Sequence, residues 1–271
     1  MNQAISLTLP ETGPVLISAN VHYGGPDLLV FLHGLGCAKE SFSGAFESPG
    51  LRRFSLCAFD FPGHGRSESP RDLQHTLDVY AAITQLLVRR VRRELGIDDG
   101  KVLLVGHSMG GSVGLLATHD MDSLSHYISV DGNLVADDCG LVSRRTADQS
   151  TADFIGFGHR SFLDELENSA GDDMRAWATW YGSADPAAVH QSARSLVEWS
   201  DSGKLLDILH GLPTAKTYIY GARENKDHLL PRLADCNVHR LPEAGHFLMV
   251  EKSEEFYDLL TAAVNAPAPA G

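Results

Sequence analysis

The sequence Gly106-His107-Ser108-Met109-Gly110 decides the fold, because it fits the pattern G-x-S-x-G and lies between two kinds of secondary structure. The apolar residues 101–105 before it are typical of a buried strand, and residues 111–117 after it favour a helix. A serine on a sharp turn from strand to helix is held in a strained conformation that exposes its hydroxyl. The helix N-terminus adds free N–H groups and a partial positive charge. This context predicts that Ser108 is a nucleophile.

Alternating strands and helices extend from this turn in both directions. Continuous apolar runs predict strands buried on both faces of a sheet, and helical spacing before Gly96 predicts a long helix. The predicted strands are 4–9, 15–21, 28–32, 55–59, 101–105, 127–130, 217–220 and 238–241, and the long helices are 76–95 and 253–264. A turn is expected at 10–14 and a frayed tail at 266–271. The alternation predicts an α/β fold with a mostly parallel sheet flanked by helices.

The alternation is interrupted between residues 133 and 211, a stretch that contains all three tryptophans of the chain. We interpret it as a helical cap inserted into a core domain formed by residues 1–132 and 212–271. An aromatic cap facing a pocket would favour an uncharged substrate. The alternative is a set of ordinary surface helices whose aromatic residues fill a small core of their own. The candidates for the substrate pocket are Phe154, Phe157, Trp177, Trp180 and Tyr181.

Composition limits the range of partners. The 271-residue chain has a formal charge of −13, which argues against nucleic acid and anionic membranes because both require basic patches. Its four cysteines are scattered without a C-x-x-C pair, and its thirteen histidines show no H-E-x-x-H pattern, so no metal site is expected. The first ten residues have neither a basic start nor a long apolar run. We therefore expect a cytoplasmic protein without a membrane span, either a monomer or a homodimer.

A nucleophilic serine requires a base and an oxyanion site. His246 follows the last predicted strand and a glycine, near the end of the chain, where a histidine could accept the serine proton. The sequence His33-Gly34-Leu35-Gly36 follows another predicted strand, and its glycines permit a tight turn. The backbone N–H groups of Leu35 and Met109 are therefore the expected oxyanion donors. We expect His33 to hold this loop in place rather than to take part in the chemistry.

Four sequence runs together resemble the α/β-hydrolase superfamily, in its capped esterase and lactonase-like branch: HGLG at 33–36, DFPGHGRS at 60–67, GHSMGG at 106–111 and AGHF at 244–247. The resemblance extends from about residue 15 to residue 264, apart from the cap. It implies an α/β-hydrolase fold, a Ser-His-acid triad and hydrolysis of a small or medium uncharged ester or lactone, with no cofactor. C–C bond hydrolases and cofactor-free haloperoxidases carry the same motifs. The alternative function is a small-molecule sensor with slow or vestigial turnover.

The resemblance leaves two positions for the triad acid. One lies at the end of the strand after the nucleophile helix, where this chain has Asp131. The other, commoner in the superfamily, lies in a G-x-x-D turn after the penultimate strand, where this chain has Glu224 in a strongly charged segment typical of a solvated loop. An ionised group at the tip of an apolar strand is unfavourable unless it has a partner, and His246 could be that partner. We favour Asp131 and keep Glu224 as the alternative.

Overall fold

An eight-stranded sheet forms the centre of the molecule, which the computed structural model describes for residues 2–9, 13–140 and 142–266. The strands are β1 Asn2–Leu9, β2 Gly13–His22, β3 Leu28–Leu32, β4 Ser55–Phe59, β5 Val102–His107, β6 Leu124–Val130, β7 Ala215–Gly221 and β8 Asn237–Leu241. Their order in the sheet is β1-β2-β4-β3-β5-β6-β7-β8. The pairings of β1 with β2 and of β2 with β4 are antiparallel, and the other five are parallel. The predicted fold class is therefore confirmed.

The helices lie in the connections between strands and after the last strand. They are α1 Ser43–Glu47, α2 Leu77–Leu95, α3 Met109–Ala117, α4 Ser143–Ala147, α5 Thr151–Asp153, α6 His159–Glu167, α7 Asp172–Tyr181, α8 Pro186–Asp201, α9 Lys204–Gly211, α10 Leu248–Glu251 and α11 Ser253–Asn265. A π-helical segment, Phe154–Gly158, joins α5 to α6. No helix in the described ranges combines the length and the apolar character needed to cross a membrane. The predicted turn at 10–14 and tail at 266–271 lie largely outside the described residues.

The central strands are buried along their whole length, as expected for parallel strands covered on both faces. Every residue of β3, β4 and β5 is buried. This burial explains why their sequences are continuous apolar runs rather than alternating patterns. It also fixes the ends of these strands rigidly, so the loops that follow them begin from well-defined positions.

Helix α2 shows how local sequence signals set the boundaries of an element. The Thr76 hydroxyl accepts a hydrogen bond from the Val79 N–H at the N-cap, and Gly96 ends the helix with φ 68°. Asp78 lies in the first turn and Arg92 in the last, where each complements the helix dipole. The predicted helix 76–95 therefore differs from the observed one only at its first residue.

Six helices, α4 to α9, lie between β6 and β7, in the segment interpreted from the sequence as a cap. Helix α4 packs on α8, and α6 packs on α7. The indole N–H of Trp177 in α7 donates to the Leu35 carbonyl at 3.3 Å, which ties this segment to the loop after β3. The Asp185 side chain caps α8 and accepts a hydrogen bond from Ser69 at 2.5 Å, which forms a second tie.

Candidate active site

The carboxyl ends of the parallel strands are where open α/β sheets bind ligands, and the candidate residues meet at this edge. They enclose a cavity of about 30 Å³. Its walls are formed by Gly34, Leu35, Cys37, His107, Ser108, Asn133, Asp138, Val142, Ser143, Trp177, His246 and Phe247. Three larger open clefts, of about 700, 840 and 340 Å³, lie at the amino ends of β5 and β6, beside α2, α3 and α9, and beside β8 and α11. None of the three contains the candidate residues, so we place the site at the small cavity.

Ser108 occupies a strained turn between β5 and α3. Its backbone angles are φ 51° and ψ −122°, a conformation that residues with side chains rarely adopt. A Cβ atom on Gly106 would stand 2.2 Å from the Gly110 carbonyl oxygen, and one on Gly110 would stand 2.2 Å from the Leu32 carbonyl oxygen. Gly106 therefore lets β5 and α3 approach closely enough to form this turn, and Gly110 lets α3 pack against the end of β3.

His246 and Asp131 come together at the cavity. The Nδ1 atom of His246 lies 2.7 Å from Oδ2 of Asp131, whose side chain is fully buried. Asp131 follows β6 directly and has φ 46°, an uncommon value for a non-glycine residue, and its N–H donates to the Ile219 carbonyl. The neighbouring strand thus holds the strained backbone that directs this carboxylate toward His246.

The backbone around His246 is held at three points. The Nε2 atom of His107 lies 2.9 Å from the His246 carbonyl oxygen. The Glu251 carboxylate accepts hydrogen bonds from the N–H groups of Gly245 and Phe247, at 3.0 and 3.1 Å. These contacts flank His246 on both sides, so its ring is presented from a fixed loop.

Burial distinguishes His246 from the other histidines near the site. Burial, with the neighbouring His246, lowers the pKa of His107 to about 3, and burial lowers the pKa of His33 to about 4. Because a carbonyl only accepts hydrogen bonds, His107 carries its proton on Nε2 and uses it to hold the loop. His33 Nε2 accepts a hydrogen bond from the Phe61 N–H, which ties the loop after β3 to the loop after β4. The His246 side chain, in contrast, is 19% exposed at the cavity.

Lys226 is a buried cation at the site that the sequence analysis missed. Its Nζ atom lies 2.6 Å from Asp131 Oδ1 and 3.5 Å from Asp138 Oδ1. Asp138 Oδ1 also lies 2.9 Å from Nε2 of His228, and its Oδ2 accepts two backbone N–H groups. The sequence did contain a signal for such a cation, namely Asp131 itself, because a carboxylate at the tip of an apolar strand requires a cationic or hydrogen-bonding partner.

The charges of this group support one another. Burial alone would raise the pKa of Asp131, but His246 and Lys226, through charge and hydrogen bonds, outweigh it and hold this pKa at about 2. Burial alone would lower the pKa of Lys226, but Asp131 and Asp138 outweigh it and raise this pKa. At neutral pH Asp131 is therefore ionised and Lys226 is protonated.

Glu224 lies apart from the His246–Asp131 contact. Its N–H donates to the Gly221 carbonyl in the turn after β7, and its side chain is half-buried. The expectation of a solvated loop is wrong for Lys226, two residues later. Lys226 is only 8% exposed, because its side chain pairs with the buried carboxylates of Asp131 and Asp138.

Ser108 and His246 line the same cavity but do not share a hydrogen bond in this structure. Among the described residues, the partner of the Ser108 hydroxyl is Asn133, whose Oδ1 accepts it at 3.3 Å. The Asn133 amide group in turn donates to the Asp138 carbonyl at 2.7 Å. Hydrogen bonds between a nucleophile and its base are often long or misaligned before a substrate is bound. Rotation of the serine side chain about χ1 would redirect the hydroxyl.

The two expected oxyanion donors belong to the loop after β3 and to the first turn of α3. Leu35 lines the cavity, and Met109 is the first residue of α3. In the first turn of a helix the N–H groups have no acceptor within the helix, so the Met109 N–H is available to a ligand. Lys39, four residues after Leu35, forms a fully buried ion pair with Asp60 at 2.7 Å, and its own N–H donates to the same carboxylate. This pair anchors the loop that carries Leu35.

The five aromatic residues predicted to line the pocket do not all reach it. All lie in the described part of the chain, and Trp177 lines the cavity. Phe154 and Tyr181 are buried among rings of the inserted helices, and Trp180 is partly buried. Phe157 is 72% exposed, because the π-helical segment turns it toward solvent. Phe154 and Tyr181 thus pack as in the alternative of aromatics that fill a core of their own, whereas Phe157 fits neither interpretation.

Other residues supply the apolar wall instead. Phe247 packs against Trp177 with ring centroids 5.1 Å apart, and Val142 and Cys37 complete the wall. In the sequence analysis Phe247 is included only as part of the AGHF run and is assigned no place in the pocket. Burial raises the pKa of the Cys37 thiol, so this thiol is not a competing nucleophile at neutral pH. In the described ranges no group of three or more histidine, cysteine, aspartate or glutamate side chains could hold a metal ion.

Comparisons with known proteins identify the family of this chain. Residues 29–259 match the model of the alpha/beta hydrolase family. A Mycoplasma pneumoniae protein named as an esterase/lipase is 37% identical over 87 residues, which are 32% of this chain and 30% of that protein. A 2-hydroxy-6-oxo-6-(2'-aminophenyl)hexa-2,4-dienoic acid hydrolase from Metapseudomonas resinovorans is 25% identical over 250 residues, which are 84% of this chain and 80% of that enzyme.

A similar fold is found among solved structures. An N-acyl homoserine lactonase in complex with N-butanoyl homoserine superposes with a TM-score of 0.73 at 18% identity and covers 98% of both chains. At this identity the superposition shows the fold alone. The family match, by contrast, covers most of the sequence and includes the motifs around Ser108 and His246. This chain belongs to the alpha/beta hydrolase family.

Proposed function

We propose that this protein hydrolyses a small carboxylic ester or lactone, with Ser108 as nucleophile, His246 as general base and Asp131 as the triad acid. The observation that carries the proposal is the 2.7 Å contact between His246 Nδ1 and Asp131 Oδ2, beside a serine on a strained turn. A carboxylate that accepts the Nδ1 proton leaves Nε2 free to accept another proton, as a general base requires.

The reaction would proceed through an acyl-enzyme. His246 Nε2 takes the proton of the Ser108 hydroxyl while the serine oxygen attacks the carbonyl carbon. The N–H groups of Leu35 and Met109 stabilise the oxyanion, and His246 then protonates the departing alcohol oxygen. Water, deprotonated by His246, releases the acid and restores the serine. Asp131 keeps the imidazole in the required tautomer and stabilises its positive charge.

The inserted helices would act as a cap over this chemistry, with residues 1–132 and 212–271 forming the core domain and 133–211 forming the cap. Trp177, Val142 and Ser143 from this segment form part of the cavity wall, which supports that division. The alternative of self-contained surface helices does not account for these three contacts.

The size of the cavity favours a short acyl group. A volume of about 30 Å³ leaves room for roughly two water molecules, so a substrate must displace part of the wall. The apolar side chains of Trp177, Phe247, Val142 and Leu35 line part of the cavity. These features favour an uncharged substrate whose acyl group is small.

The test is turnover by wild type and Ser108→Ala on p-nitrophenyl esters of increasing acyl length and on short lactones. We expect multiple turnovers by wild type, highest for the shortest esters. Ser108→Ala should lose turnover while its melting temperature stays within a few degrees, because the hydroxyl does not stabilise the fold. Wild-type rates in this variant would contradict the proposal. A single burst without further turnover by wild type would instead favour a ligand sensor.

A further inference from the structure

The cation beside the candidate triad acid comes from the loop after β7. The Lys226 ammonium group lies 2.6 Å from Asp131 Oδ1, the oxygen that does not face His246. The two side chains are 8% and 0% exposed, so water does not screen this pair. One carboxylate therefore joins two partners, with one oxygen committed to each.

A cation at this place has two opposing effects on His246. It keeps Asp131 ionised and restrains rotation of the carboxylate, which favours the productive orientation of the imidazole. It also cancels part of the negative charge that stabilises the imidazolium. The second carboxylate, Asp138, lies 3.5 Å from the same ammonium group and restores a net negative charge to the group.

We propose that Lys226 is a positioning residue for the reaction, which holds Asp131 in orientation and, together with Asp138, sets the pH range in which His246 acts as a base. This inference rests on the proposed function. It assigns to Lys226 a role through Asp131, without contact with the substrate, and to Asp138 the role of its counter-charge.

Other ionisable groups around His246 come from each neighbouring element. His107 at the end of β5 lies below the ring, with centroids 4.7 Å apart, and its lowered pKa keeps it neutral. Glu251 in α10 binds the loop backbone and is paired with Arg223. Glu224 and His228 flank Lys226 in the loop after β7. None of the variants below replaces these five residues, although Asp138→Asn changes the partner of His228.

The test is the pH dependence of kcat/KM for p-nitrophenyl acetate, followed at the isosbestic wavelength of the product. Lys226→Met removes a positive charge, so protonation of His246 becomes easier. The acid limb of the profile, where kcat/KM falls toward low pH, should therefore move up by about one pH unit. Its kcat should fall roughly 10²-fold, as expected when a catalytic group is misplaced by about 1 Å. Lys226→Arg keeps the cation and should leave the acid limb where wild type has it.

Asp138→Asn provides the second variant in case Lys226→Met unfolds, because the amide oxygen can still accept the Leu134 and Val135 N–H groups that Asp138 Oδ2 accepts. This variant keeps the Asp131–Lys226 pair and removes a negative charge, so its acid limb should move down by roughly half a pH unit. Lys204→Met removes the same charge as Lys226→Met from an exposed position in α9 and should leave the profile unchanged.

The inference is supported if the acid limb moves up in Lys226→Met and down in Asp138→Asn. An unmoved acid limb in a folded Lys226→Met variant, or in Asp138→Asn, would overturn it even if the melting temperature falls, since that result indicates a purely structural pair. A wild-type enzyme without any acid limb would overturn the proposed function, and this inference with it. The two failures are therefore distinguishable.

Discussion

The assignment of the triad acid can be tested by replacing Asp131 with asparagine. Asp131 Oδ1 faces the Lys226 ammonium group at 2.6 Å, and Oδ2 faces His246 Nδ1 at 2.7 Å. Because an ammonium group only donates, the single oxygen of an asparagine would turn to Lys226. Its NH₂ group would then face Nδ1 of His246.

This arrangement forces the wrong tautomer on the histidine. Nδ1 would have to accept a hydrogen bond, so the proton would move to Nε2, which could no longer take the serine proton. In serine proteases the same change lowers turnover by about 10⁴, equivalent to about 5 kcal/mol of transition-state stabilisation. We expect Asp131→Asn to lose 10²- to 10⁴-fold in kcat, with KM little changed.

The matched variant is Glu224→Gln, which alters the alternative acid in the turn after β7. It should change kcat by less than about tenfold, because the carboxylate paired with His246 Nδ1 is that of Asp131. Steady-state kinetics on p-nitrophenyl acetate, with melting temperatures for both variants, provide the readout. If Glu224→Gln is the inactive variant and Asp131→Asn keeps its rate, the assignment of the acid is wrong.

Three further predictions follow from particular contacts. Gly110→Ala places a Cβ 2.2 Å from the Leu32 carbonyl oxygen, so it should lower the free energy of unfolding in urea by roughly 2 kcal/mol or more. The control is Gly211→Ala, which has open space around its Cβ and should leave this free energy unchanged or slightly higher. Trp177→Ala enlarges the cavity and should shift the preference of kcat/KM toward longer acyl chains; an unchanged preference would remove Trp177 from the acyl site. Because the pKa of Asp131 is about 2 in the folded state against an ordinary 3.8, its contribution to stability is present above about pH 4 and is lost as the pH falls toward 2. The difference in unfolding free energy between wild type and Asp131→Asn should therefore shrink between about pH 4 and about pH 2; a constant difference would contradict this pKa.

The order of strands and helices could be predicted because buried parallel strands and capped helices leave local signals. The β3 and β4 bounds match the predicted ranges, and the boundaries of α2 follow from a threonine cap and a left-handed glycine. The strained turn at Ser108 could also be predicted, since the glycines around it are a local requirement. These features depend on residues that are close in the sequence.

The neighbours of Asp131 could not be predicted in the same way. Lys226 lies 95 positions later in the chain, and only the placement of β7 beside β6 brings it to the carboxylate. The charged segment around it resembled a solvated loop, because sequence does not show which of its charges points inward. The aromatic residues of the inserted helices posed the same problem. Their composition indicated burial, but the packing of those helices decides that Trp177 reaches the cavity and Phe157 does not.

The central claim is that Ser108 is a nucleophile activated by His246. It is tested most directly by labelling the folded protein with a fluorophosphonate and mapping the adduct by peptide mass spectrometry. An activated serine beside an oxyanion site reacts, whereas ordinary serines do not. We predict one adduct, on the peptide that contains Ser108, and loss of that adduct in His246→Ala. An adduct on a different serine, or equal labelling of Ser108 in His246→Ala, would contradict the account.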